Sequence, residues 1–89
     1  MNKCVVVKFH DEEHYAVSVY SGTAQECEKH ASYCRGLYHD VPYIKFGVYE
    51  AGHYDMCAKL ERQGRGDIYS LLANSNCTSR AISISIRYE

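Results

Sequence analysis

Apolar and polar positions alternate along Cys4 to Tyr20, break at Asp11-Glu12-Glu13 and then resume. Alternation with many β-branched residues marks half-buried strands. With the three acidic residues as the loop, His10 faces His14, Phe9 faces Tyr15, Val7 faces Val17 and Val5 faces Val19. The packed face of this hairpin is then Val5, Val7, Phe9, Tyr15, Val17 and Val19. Its outer face is Cys4, Val6, Lys8, His10, His14, Ala16, Ser18 and Tyr20. The loop has no Gly or Asn, so a longer turn is the alternative.

The same pattern returns at Tyr43 to Glu61, around Glu50-Ala51-Gly52. With those residues as the loop, Tyr49 faces His53, Val48 faces Tyr54, Phe46 faces Met56 and Ile44 faces Ala58. Gly52 takes the third loop position, where a type I turn with a G1 bulge needs positive φ. This predicts a second hairpin whose core face is Ile44, Phe46, Val48, Tyr54, Met56 and Ala58.

Between the hairpins the period changes to that of a helix. Ser21-Gly22 ends the second strand, and Thr23 with Glu26 has the spacing of a capping box. Ala24, Cys27, Ala31, Cys34 and Tyr38 then share one stripe of mostly small residues. Gly36 reads as a C-terminal signal, and Pro42 bars continuation. After the second hairpin, Arg62-Gln63-Gly64-Arg65-Gly66 reads as a loop and Asp67 as the cap of a short helix, Ile68 to Ala73; a short strand is the alternative there. The final AISISIRY predicts a strand with Ile82, Ile84, Ile86 and Tyr88 inward. The expected fold is one α+β domain over residues 1–89, in the order β-β-α-β-β-(α)-β. It has a mostly antiparallel sheet of about five strands, with one main helix packed on one face.

Composition narrows the function classes more than it names one. The chain has 89 residues and a net charge of −1, which suits one modest core and argues against an affinity built on phosphate neutralisation. No run approaches a membrane span. No secretory signal is legible at the N-terminus, so a cytoplasmic location is expected. Five cysteines without such a signal favour free thiols over a disulfide framework.

Candidate chemistry is sparse. Cys27, His30 and Cys34 fall on one side of the helix, and soft thiolates with imidazole suit zinc. The C-x2-C knuckle of structural zinc sites is missing, however, and packing explains both cysteines. His10 and His14, facing each other, are a second chelating pair, read by default as part of a solvated turn. Cys57 opposite Lys45 has a lowered-pKa arrangement without a concave site or oxyanion donors, so no enzyme activity is expected. No cofactor or metal is assigned.

Nine tyrosines are the unusual component, and tyrosine is enriched in binding surfaces. The outer face of the second hairpin would present Tyr43, Lys45, Tyr49, His53, Asp55 and Lys59 to a partner. The expected function is a small protein-binding module acting by stoichiometric interaction, as inhibitors of host proteins encoded by viruses or mobile elements do. The partner would be another protein or a second copy of the chain. The alternative is nucleic-acid binding by the same tyrosine-bearing face together with the Arg62/Arg65 loop.

Overall fold

The computed structural model describes residues 3–74. These form β1 (Cys4–His10), β2 (Tyr15–Gly22), α1 (Ala24–Leu37), β3 (Ile44–Glu50), α2 (Ala51–Arg62) and α3 (Ile68–Ala73). The three strands make one antiparallel sheet in the order β2-β1-β3. The expected sheet of about five strands with a helix on one face is thus corrected: among the described residues there are three strands, and helices cover both faces. The strand expected at Ile82 to Tyr88 lies outside the described residues.

The central strand explains the two-sided arrangement. CVVVKFH is nearly continuous in apolar residues, the pattern of a strand buried on both faces. Cys4 and Val6 join Cys27, Ala31, Cys34, Phe46 and Val48 in a core beneath α1. Val5, Val7 and Phe9 join Ala16, Tyr49, Cys57, Ile68, Leu71 and Leu72 in a second core beneath α2 and α3. The assignment of Cys4 and Val6 to an outer face is therefore wrong.

The first hairpin forms, but its register differs. Its turn has four residues, Asp11 to His14, because His10 pairs with Tyr15. His14 supplies the positive φ (57°) that no Gly or Asn was present to give. A shift of one residue moves every side chain to the opposite face. Ala16, expected outside, is buried opposite Phe9, while Val17, expected inside, is exposed. A bulge then adds a residue to β2: Val7 pairs with Ser18 and Val6 with Tyr20. Val19 is the extra residue and is also exposed.

The second hairpin does not form. Its first half is β3, and Ile44, Phe46 and Val48 do share a packed face against α1. Its second half is α2, which starts directly after Glu50. The turn at Glu50-Ala51-Gly52 is corrected to a strand-to-helix junction, where the Ala51 amide donates to the Lys3 carbonyl at 2.8 Å. Periodicity is ambiguous here, because Tyr54, Met56, Ala58 and Leu60 fit alternation while His53, Cys57 and Leu60 fit helical spacing. Propensity decides. From Asp55 to Arg62 there is no β-branched or aromatic residue, and Met, Ala, Lys, Leu, Glu and Arg all favour helix. The positive-φ glycines are instead Gly64 and Gly66, in the loop between α2 and α3. A Cβ on Gly66 would also press on the Leu71 side chain at 3.3 Å.

Both other helices follow their sequence signals. At α1, Thr23 Oγ1 accepts from the Glu26 amide (3.1 Å) and Glu26 Oε1 accepts from the Thr23 amide (3.0 Å), which completes the capping box. Its small-residue stripe packs as expected, with Cys27, Ala31 and Cys34 buried. The helix runs through Gly36, however, and is capped at Tyr38. At α3, an Asp67 carboxylate oxygen accepts from the Ser70 amide at 3.0 Å, and Ile68, Leu71 and Leu72 point inward. Free thiols among the described residues are Cys4, Cys27 and Cys34. Cys57 is disulfide-bonded, which departs from the expected set of free thiols. No helix among the described residues is long and apolar enough to cross a membrane.

Candidate functional site

The six residues expected to form one contact face are placed apart. Tyr49 is 1% exposed, in the core beneath α2, and its hydroxyl donates to the Leu72 carbonyl at 3.2 Å. His53 is 4% exposed and stacks on Tyr49, with ring centroids 5.6 Å apart. Lys45 forms an ion pair with Asp11 at 2.8 Å. Tyr43 precedes β3 and stands beside His10, 5.0 Å between centroids. Asp55 and Lys59 are exposed, one turn apart on α2. The tyrosine at the centre of the expected face is thus a packing residue, a consequence of α2 replacing the outer strand.

The candidate metal ligands are also separated by packing. Desolvation on burial pushes the Cys27 and Cys34 thiols up, toward the protonated form. The His30 ring leaves that core and stacks on Tyr20, centroids 4.2 Å apart. Among the described residues no group of three or more His, Cys, Asp or Glu side chains is placed to hold a metal ion. His10 and His14 turn to different partners. The Nδ1 atom of His10 accepts from the Glu13 amide, and His14 reaches Asp67.

That second histidine belongs to a cluster that resembles a catalytic constellation in composition only. His14 Nε2 lies 3.0 Å from Asp67 Oδ2 and 3.4 Å from Ser70 Oγ. A nucleophile relay needs serine and carboxylate on opposite ring nitrogens, so that one nitrogen takes a proton while the other is oriented. Here both contact the same atom. The cluster instead ties the β1–β2 turn to the start of α3. Asp11 does similar work one step away, accepting from Lys45 Nζ at 2.8 Å and from the Tyr69 hydroxyl at 2.5 Å.

These two carboxylates are expected to make the fold sensitive to acid. At Asp11, burial pushes the pKa up, but hydrogen bonds from Lys45 and Tyr69 outweigh it and hold the carboxyl below its ordinary value. At Asp67 the Ser70 amide is the main cause of a shift in the same direction. A folded pKa below the unfolded one contributes stability above the ordinary carboxylate range, near pH ~4, and that contribution is lost as pH falls through the folded value. The urea midpoint is therefore expected to fall between pH 7 and pH 3. It should fall less steeply in Asp11→Asn, where one of the two linked protons is gone. Equal slopes in the two proteins would show that Asp11 is not linked to folding.

The surface that remains lies between α1 and β2. Among the described residues, four of the five large exposed apolar ones lie on that side: Val17 (42% exposed), Val19 (44%), Tyr33 (63%) and Leu37 (59%). Val19, Tyr33 and Leu37 line an open groove of about 320 Å³, whose floor includes Cys34 and Phe46 and whose polar members are Lys8 and His30. The local causes are traceable. The four-residue turn puts Val17 on the α1 side of the sheet, alternation puts Val19 there too, and the bulge brings Tyr20 to the same side opposite Val6. The small-residue stripe seats α1 over β1 and β3, and on β2 only Tyr20 packs toward the helix, against His30, while Val17 and Val19 stay exposed. Tyr33 and Leu37, at i and i+4 on the flank of that stripe, line the groove together with Val19. Sequence reasoning missed all four as site residues. The available signal was a pair of large apolar residues one helical turn apart, outside a stripe already filled by smaller ones. No protein-family model matches this chain, and neither the curated proteins nor the solved structures contain a match to it.

Proposed function

We propose that this chain is a protein-binding module that works by stoichiometric contact through the α1–β2 surface. The observation that carries the reading is the convergence of Val19, Tyr33 and Leu37 on one groove, with Val17 exposed on the same face of the sheet. Scattered exposed apolar residues need no explanation, but a contiguous set rimmed by polar groups is the composition of an interaction site. Tyr33 adds area with few rotors to immobilise, and Lys8 and His30 offer polar contacts at the margin. No comparable observation favours nucleic-acid binding. Of the face meant for it, Tyr49 is in the core and Lys45 is paired with Asp11, which leaves Tyr43, Lys59, Arg62 and Arg65 exposed without a common groove among the described residues.

Selection from a library of displayed peptides tests the reading. Enrichment of apolar sequences is expected, with binding abolished by Tyr33→Ser combined with Leu37→Ser and retained by Asp55→Ala combined with Lys59→Ala. Failure to enrich any peptide, or binding indifferent to the Tyr33 and Leu37 changes, would overturn it.

A further inference from the structure

Lys8 interrupts an otherwise apolar run, CVVVKF, in the central strand. Alternation from Cys4 and Val6 turns its side chain to the α1 side of the sheet. There it lines the groove with Val19, Tyr33 and Leu37. The residue is half-buried, and its Nζ lies 5.8 Å from the centroid of the Tyr38 ring. A ring face attracts a cation but does not satisfy the three N–H donors of an ammonium. Those donors are left to solvent or to whatever enters the groove.

From this we infer that the occupant of the groove is an apolar peptide segment of another protein that carries an aspartate or glutamate beside Lys8. The inference rests on the proposed docking role of the α1–β2 surface and names the chemistry of its partner. Seating an apolar segment on Val19, Tyr33 and Leu37 also takes water away from Lys8. A desolvated ammonium without a partner is costly, and a carboxylate at hydrogen-bond distance offsets that cost. The same lysine therefore discriminates against a wholly apolar segment and against a basic one. The charge of the lining has one sign. Among the described residues Lys8 and His30 are its basic members and no carboxylate lines it, in a chain whose net charge is −1. The acids at either end are placed elsewhere. Glu26, one turn before His30 on α1, lines a neighbouring concavity with Tyr20 and Lys29, and its Oε1 accepts from the Thr23 amide. Glu12 and Glu13 lie in the turn beyond the His10–Tyr15 pair, two rows from Lys8, and Asp11 is held by Lys45 and Tyr69.

Peptides selected from the displayed library on the full chain are the probes. Enriched sequences are expected to hold an Asp or Glu at a fixed place among their apolar residues. Changing that acid to its amide should weaken binding to the unaltered chain by about tenfold or more, as for a close charge pair at an interface. The same peptide change should matter little to Lys8→Met, which keeps an apolar stem of similar length and removes the charge. Lys59→Met, on α2, should respond as the unaltered chain does. If Lys8→Met fails to fold, the peptide-side change on the unaltered chain decides alone, and a loss well below tenfold overturns the acidic partner. Enrichment of apolar peptides without an acid, still dependent on Tyr33 and Leu37, would overturn it too and leave the protein-binding reading standing. So would an acid whose removal weakens binding to Lys8→Met as much as to the unaltered chain. Enrichment of no peptide at all would remove both readings.

Discussion

Replacing Phe9 by alanine is expected to lower the unfolding free energy by about 3–5 kcal/mol, the range for truncating a buried aromatic residue. Phe9 is fully buried at the point where β1, α2 and α3 meet. Its ring packs edge-on to Tyr69, with centroids 5.4 Å apart, and tilted against Tyr49 at 6.2 Å. Those two tyrosines are themselves anchored, one to Asp11 and the other to the Leu72 carbonyl. Neither can collapse into the vacated space without giving up a hydrogen bond, so the cavity term should remain. Single domains have only about 5–15 kcal/mol in total, so the loss would leave this chain marginal. Urea unfolding followed by circular dichroism measures it. Val17→Ala is the matched control: Val17 is exposed, and surface changes usually stay within about 0.5 kcal/mol. A hairpin with the three-residue loop would reverse the control, because Val17 would then stand in the core. A large loss in Val17→Ala would contradict the observed register.

That control shows where the sequence was and was not legible. The signals that survived are those in which one local interaction decides the outcome. Thr23 and Glu26 satisfy each other's amides, Asp67 satisfies that of Ser70, and the small residues at Cys27, Ala31 and Cys34 fit only the buried side of a helix. Register failed because two local devices were silent. A histidine took the positive-φ position, and a bulge inserted Val19. Neither has a compulsory residue type, and each moves faces by one position. The stretch after Glu50 failed for another reason: its apolar residues satisfied both periods, and a plausible turn glycine outweighed a run of helix-forming residues. The error in the site followed from the error in the fold. Once His53 to Lys59 became a helix over the sheet, Tyr49 became a core residue. The surface left open was the one beside β2, where the alternation had assigned Val17 and Val19 to the interior.

The small-residue stripe of α1 supports a second large prediction, one that joins stability to function. Ala31→Leu is expected to cost about 1–3 kcal/mol, the usual penalty for forcing extra methylenes into a packed core. Ala31 is fully buried between Cys27 and Cys34, in one cluster with Val6, Phe46 and Val48. The strands there are bulky, so the close seating of α1 depends on the helix side staying small. Leucine is the better helix former among most residues and close to alanine in propensity, so any loss comes from the interface and not from the helix itself. Ser32→Leu, one position away and exposed, adds the same bulk to the solvent side and should leave the urea midpoint nearly unchanged. The two variants also separate two views of the groove. Tyr33 and Leu37 line one groove with Val19 and Phe46 because α1 is held down by its stripe. Raising the helix at Ala31 should weaken binding at the α1–β2 surface even though no groove residue is altered, whereas Ser32→Leu should not. Loss of stability with unchanged binding would mean that the groove residues act independently of the seating of α1, and that the surface is set by β2 alone.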